Sequence, residues 1–136
     1  MTCFIDTSMF VAAYNKKDKY HSDANKILSD AFEGEYGTIY TSDYILNETI
    51  TLILKRMKNV KIAKQLGNAI LSSPRINLVV IDTRIVLNAY TTFIKKSYLF
   101  DSFTDYTSYE MTKEYNIEHL LSYDSDFDKV DVNRVY

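Results

Sequence analysis

Cysteine occurs once, proline once, glycine three times and tryptophan not at all in the 136 residues. Each scarcity removes a class of protein. A single cysteine, Cys3, excludes an intrachain disulfide; it sits in a strand-like run, where an inert buried thiol is expected. With so little Gly and Pro, flexible linkers and disordered tails have little to be built from. No apolar run approaches the length of a membrane span. The first one is interrupted by Asp6 and has no basic stretch ahead of it, unlike a secretory leader, so a soluble, cytoplasmic chain is expected. Basic residues are not in surplus either. The net charge of −2 argues against nucleic-acid binding through a broad basic surface. It leaves open an enzyme whose own carboxylates hold cations, because bound metal reverses the local sign. The two histidines, His21 and His119, lie in no motif, and no Ser-His-Asp or Cys-His set is present; surface or edge positions are expected for both.

What the chain does contain is ordinary for a folded domain: 46% hydrophobic and 25% charged residues. The length suits one domain spanning residues 1–136. The twelve tyrosines can stack on bases, but serve first as large amphipathic packing residues. Cys3-Phe4-Ile5 reads as a strand, followed by a short helix through Met9–Ala13. A second helix carries Tyr20, Ala24, Ile27, Leu28 and Ala31 in phase. Gly34 and Gly37 close it, and Thr38–Thr41 is a strand. One long helix is expected from Ser42 to about Lys58 and another from Lys61 to Ser72, stopped by Pro74. Asn77–Ile81 is a β-branched strand. Asp82 caps a helix to about Lys96, and Ser102 one to about Tyr115. Leu120–Tyr123 is a strand, and Val130–Tyr136 holds a weak last one. Strands alternating with helices point to a parallel sheet covered on both faces.

In open α/β sheets, sites form beyond the carboxyl ends of the strands. Asp6 and Asp124 each follow a strand, and Glu48 and Asp105 lie early in helices, so four distant acids can converge at one edge. Such a cluster resists ionisation unless cations neutralise it. All-oxygen ligands suit Mg²⁺ or Mn²⁺. Each acid also has a plain structural reading. Asp6 is placed to cap the following helix. Glu48 sits at the border of its helix's apolar arc, roughly 40° from Leu52. Ser102-Phe103-Thr104-Asp105 matches a capping box, and Asp124 suits a turn. Three look-alikes fail. Asp124, Asp126 and Asp128 imitate a calcium loop, but Lys129 stands where Gly is needed and Val135 where Glu is needed. The opening run imitates aspartyl-phosphate phosphatases, but Ser8 replaces their second Asp. A phospho-receiver domain, with Asp82 as acceptor, would need a lysine after the last strand, and none follows Val135.

Four pieces in order carry a resemblance: Phe4-Ile5-Asp6-Thr7-Ser8, Ser42-Asp43-Tyr44-Ile45-Leu46-Asn47-Glu48, Ser102-Phe103-Thr104-Asp105 and Leu121-Ser122-Tyr123-Asp124-Ser125-Asp126-Phe127. Together they resemble the PIN-domain family, and within it the VapC-type toxins, over essentially the whole chain. The resemblance implies a Rossmann-like, three-layer α/β/α sandwich with a parallel sheet of four or five strands. It implies a metal-dependent endoribonuclease using one or two Mg²⁺ or Mn²⁺ ions held by Asp6, Glu48, Asp105 and Asp124. Asp126 becomes a supporting ligand. Ser8 stands where many members have Asn and helps order metal-bound water. Asp101 ranks below these, one turn before Asp105 if the helix reaches back that far. A homodimer and an antitoxin partner covering the groove are implied in the same way. A housekeeping RNA-processing nuclease and a catalytically silent PIN scaffold are the alternatives. Retention of all four repelling acids speaks against the silent scaffold. Lys55, Arg56, Lys58, Lys61 and Lys64 form a basic stretch that reads either as RNA-backbone contacts, the first three above all, or as a solvated helix face.

Overall fold

The computed structural model describes residues 1–136. Five strands, β1 (Thr2–Ile5), β2 (Thr38–Ser42), β3 (Ile76–Val79), β4 (His119–Leu121) and β5 (Asn133–Val135), form one sheet in the order β3-β2-β1-β4-β5. Every pairing is parallel. Six helices alternate with them: α1 (Thr7–Tyr14), α2 (His21–Glu33), α3 (Asp43–Leu52), α4 (Val60–Ser72), α5 (Thr83–Lys95) and α6 (Phe103–Glu114). The chain moves outward from β1 to β3 and then crosses back to β4. Right-handed crossovers therefore place α1–α4 on one face and α5 and α6 on the other. Most helix contacts follow that division, α1 with α2, α3 and α4, and α5 with α6; α3 and α6 touch across it. The result is the expected PIN-like α/β/α fold.

The central strand explains itself. Cys3, Phe4 and Ile5 are completely buried, because a strand with helices on both faces has no solvent side and reads as a continuous apolar run. The edge strands show the opposite. Asn77 and Asn133 are exposed, and a polar edge discourages pairing with another chain. Cys3 is buried and free, as expected, and burial pushes its thiol up to about 12. Tyr106 is buried, its hydroxyl donating to the Lys96 carbonyl at 2.7 Å. Its ring meets Phe93 and Phe100 edge-on. This is tyrosine as a packing residue with a satisfied polar end.

Several boundaries differ from the sequence reading, each for a local reason. β3 begins at Ile76 and ends at Val79 rather than Ile81, because the Ile81 amide donates to Asp43 Oδ1 at 2.9 Å and leaves the strand ladder. The long helix expected to reach Lys58 is α-helical only to Leu52; Ile53–Met57 form a π turn. Lys58 ends it in the left-handed region, at φ 49°. Asn59 then starts α4, its Oδ1 accepting from the Ile62 amide at 3.0 Å. Ser125–Lys129 form a 3-10 turn before β5. His119 lies on interior β4 rather than at an edge. Gly37 is obligatory where it stands, since a Cβ there would lie 2.1 Å from the Met1 carbonyl oxygen. No helix is long and apolar enough to cross a membrane.

Candidate active site

The connections diverge on either side of β1, which makes the carboxyl ends of β1 and β4 the switch point where open parallel sheets hold ligands. Asp6 follows β1 and Ser122 follows β4. A cavity of about 420 Å³ opens there, and among its lining residues are Asp6, Glu48, Asp105 and Asp124. Elements far apart in sequence thus deliver all four expected acids to one concavity. A larger cavity of about 600 Å³ lies between α5 and α6, but it is lined chiefly by apolar and aromatic side chains. Its lining offers only Asp101 as an acid, so the chemistry belongs to the smaller one.

Asp6 occupies the N-cap position of α1 yet makes no capping hydrogen bond. Its Oδ2 accepts instead from Ser122 Oγ at 2.7 Å and from Ser8 Oγ at 3.1 Å. Each hydroxyl has one proton to give, and both are directed at the same oxygen. Their own acceptor capacity is used as well: the Tyr123 amide donates to Ser8 Oγ at 2.9 Å and the Asp124 amide to Ser122 Oγ at 3.0 Å. Ser8, expected to order water, is thereby an orienting partner of Asp6. The other carboxylate oxygen, Asp6 Oδ1, is buried with no hydrogen-bond partner. Leaving an anionic oxygen so costs several kcal/mol unless something compensates. Burial first, and the Glu48 charge next, push the Asp6 carboxyl up to about 6, against the pull of the Ser122 and Ser8 hydroxyls.

Asp105 is 7% exposed. Its amide donates to Ser102 Oγ at 3.2 Å, which is the first half of a capping box. The carboxylate makes no return bond to the Ser102 amide; the Ser102 hydroxyl beside it favours the charged form, and both residues line the cavity. Burial is the main cause, and repulsion from Asp6, Asp124 and Glu48 adds to it; together they push Asp105 up to about 8. Asp124 does serve its turn, Oδ1 accepting from the Asp126 amide at 2.9 Å. Glu48 is half-buried on α3, and α3 and α6 touch, which brings Glu48 towards Asp105. No three of the acids stand close enough to cage an ion without side-chain rotation, as uncompensated like charges would dictate.

The remaining expected residues separate. Asp126 does not line the cavity and is paired with Lys129 at 2.8 Å. Asp101 precedes α6 instead of lying on it and faces the apolar cavity. Of the basic stretch, Arg56 lines the acidic cavity, whereas Lys55 and Lys58 do not. Both lysines are exposed, as are Lys61 and Lys64. Sequence reasoning gave no site role to several cavity residues, among them Asp18 and Tyr20, from the turn between α1 and α2, Thr7, and Tyr123. It also gave no role to Ser122. Ser122 and Tyr123 lay inside a quoted motif, so adjacency to Asp124 was an available signal; nothing in one sequence singles out Asp18 or Tyr20.

A sequence profile of the PIN domain matches residues 3–133. A VapC ribonuclease of Archaeoglobus fulgidus is 31% identical over 137 residues, covering 100% of this chain and 85% of its own. Among solved structures, the VapC20 toxin of Mycobacterium tuberculosis, described as cleaving the sarcin-ricin loop, superposes with a TM-score of 0.86 at 22% identity. That match covers 98% of each chain. A chain of VapBC2 from Rickettsia felis, solved bound to a DNA fragment from the promoter, matches with a TM-score of 0.68 at 16% identity, over 99% of this chain and 98% of that one.

Proposed function

Because the chain belongs to the PIN-domain family, we propose that it is a metal-dependent endoribonuclease, the toxin of a toxin–antitoxin pair. On this reading a single cytoplasmic domain hydrolyses RNA phosphodiester bonds in the cavity lined by Asp6, Glu48, Asp105 and Asp124. The observation that carries the site is Asp6: a buried carboxylate with one oxygen fixed by two hydroxyls and the other left without a partner. A divalent cation is the partner such an oxygen fits, and the surrounding donors are all oxygen, which favours Mg²⁺ or Mn²⁺. The relatives named for ribonuclease and toxin activity support the substrate, and the VapBC assembly supports an antitoxin partner. Homodimer formation belongs to the same reading.

Asp6, Glu48, Asp105 and Asp124 would hold one or two ions, which supply Lewis acidity and a more acidic water at the scissile phosphate. The protein's own part is positional. Ser122 and Ser8 keep Asp6 in a single orientation, so that little reorganisation remains when substrate arrives. Asp105 holds a proton near neutral pH while the acids are uncompensated and releases it when positive charge enters. Arg56 offers the cavity's guanidinium to the phosphate, which a planar fork can grip by two oxygens. Asp126, held by Lys129, supports the chain around Asp124 from outside the cavity.

The test is direct. Pure protein is incubated with structured RNAs in Mg²⁺, in Mn²⁺ and in chelator, and the new ends are mapped. Specific internal cuts are expected with metal and none with chelator. Asp6→Asn should abolish cutting while the protein stays folded. Undiminished cleavage by that variant, free of contaminating nuclease, would remove Asp6 from the site.

A further inference from the structure

One pair of aromatic residues in the cavity wall has no part in holding the acids. Tyr20, from the turn before α2, and Tyr123, just past β4, stack at a centroid separation of 4.3 Å with their planes 6° apart. Both line the acidic cavity. Tyr123 is half-buried and clamps one face of Tyr20, while Tyr20 itself is 37% exposed. The Lys19 ammonium lies 4.9 Å from the Tyr20 ring centre. Lys16 and Lys17, in the same turn, are exposed as well. Arg56 lines the same cavity from the π turn after α3. Negative carboxylates and the Arg56 guanidinium thus meet around one concavity that has an aromatic plate in its wall, with the lysines of the neighbouring turn outside its lining.

We infer that Tyr20, held rigid by Tyr123, is a stacking platform for an unpaired nucleobase beside the scissile phosphate, with Lys19 moving from the ring to the RNA backbone. The inference rests on the nuclease reading and adds to it a base-contacting residue. Packing alone would explain a stacked pair, but packing does not require the outer ring to be exposed and to form part of the wall of the acidic cavity. A platform does. Tyrosine is suited to the task, since every base has a flat face and a ring already fixed by its neighbour has little freedom left to lose. A base locked in a duplex cannot leave its stack to reach the ring, whereas a base in a loop can.

The test uses the full chain carrying Asp6→Asn, so that RNA survives the measurement. Labelled single-stranded oligonucleotides, each with one abasic nucleotide at a different position, are titrated by fluorescence anisotropy at low salt. Loss of one particular base should weaken binding about tenfold, with smaller effects elsewhere, and the matching duplex should bind less well. Adding Tyr20→Ala should weaken intact RNA by a similar factor and abolish the penalty of the missing base. Adding Tyr20→Phe, which keeps the ring, should restore both. A protein and an RNA change that fail to add identify a shared contact, which a purely structural ring would not give. A flat abasic scan, independent additive losses in the Tyr20→Ala protein, or no binding to any oligonucleotide each overturns the platform. The nuclease reading is judged separately, by cleavage with the unaltered chain.

Discussion

Ser122 Oγ donates to Asp6 Oδ2 at 2.7 Å, joining the ends of β4 and β1 across 116 residues of sequence. Because the hydrogen bond favours the charged carboxylate, it opposes the burial that pushes Asp6 up to about 6. Ser122→Ala should therefore raise the Asp6 carboxyl further and move the acid limb of the cleavage pH profile to higher pH. It should also cost roughly 1–2 kcal/mol of stability. Ser122→Thr keeps the hydroxyl and should recover the profile. An unchanged acid limb in Ser122→Ala would show that the bond does not tune Asp6.

Asp6 and Asp105 give the metal-free protein an unusual dependence on pH. Both carboxyls stand above their ordinary 3.8, at about 6 and about 8. They bind protons more tightly folded than unfolded, so their contribution to stability is full below about 3.8. It is lost as pH rises through about 6 and then about 8. In chelator, the melting temperature should fall from mildly acidic to mildly alkaline pH, and Asp6→Asn combined with Asp105→Asn should flatten that fall. Mg²⁺ or Mn²⁺ should raise the alkaline melting temperature and release protons on binding, measurable by calorimetry in buffers of different ionisation enthalpy. A metal-free melting temperature that rises with pH through this window would contradict the account.

Arg56 is separated from its basic neighbours by position. It lies on the π turn at Ile53–Met57 and lines the acidic cavity, while Lys55 and Lys58 do not. Arg56→Ala should raise KM for RNA severalfold and lower the salt dependence of binding by about one phosphate contact. Lys55→Ala and Lys58→Ala should each change KM less than twofold or so, the usual range for exposed charges remote from a ligand. Equal effects from all three would restore the broad basic face that the sequence left open.

Most of the fold was legible because parallel strands buried on both faces leave a plain signature, as in Cys3-Phe4-Ile5. Caps at Asp82 and Ser102 located two helices. The four acids were legible from motif order, and their convergence followed from strand ends sharing one edge. What escaped reading depended on contacts between distant residues. Asp43 withdrawing the Ile81 amide shortens β3, and no local pattern announces it. Ser8 and Ser122 share Asp6 Oδ2, a relationship visible only once β1 and β4 are neighbours. Asp126 looked like Asp124 in sequence, yet it pairs with Lys129 and lies outside the cavity lining.

Lys58 sits at φ 49°, in the left-handed region, where an L side chain crowds the following carbonyl. That conformation costs a non-glycine residue roughly 1–2 kcal/mol. Its side chain is exposed and takes part in no ion pair, so the strain brings no compensating contact. The turn it makes is nonetheless required, since Asn59 must follow directly to cap α4. Lys58→Gly should keep the turn and remove the steric cost, while glycine's extra freedom in the unfolded chain returns part of the gain. The expected net stabilisation is about 0.5–1 kcal/mol. In urea the unfolding midpoint should rise with an unchanged slope, which separates a change in stability from a change in the surface exposed on unfolding. Lys58→Ala, which relieves no Cβ crowding, should not reproduce the rise. If it does, the gain comes from removing positive charge beside Lys55 and Arg56, and backbone strain at Lys58 is not its cause.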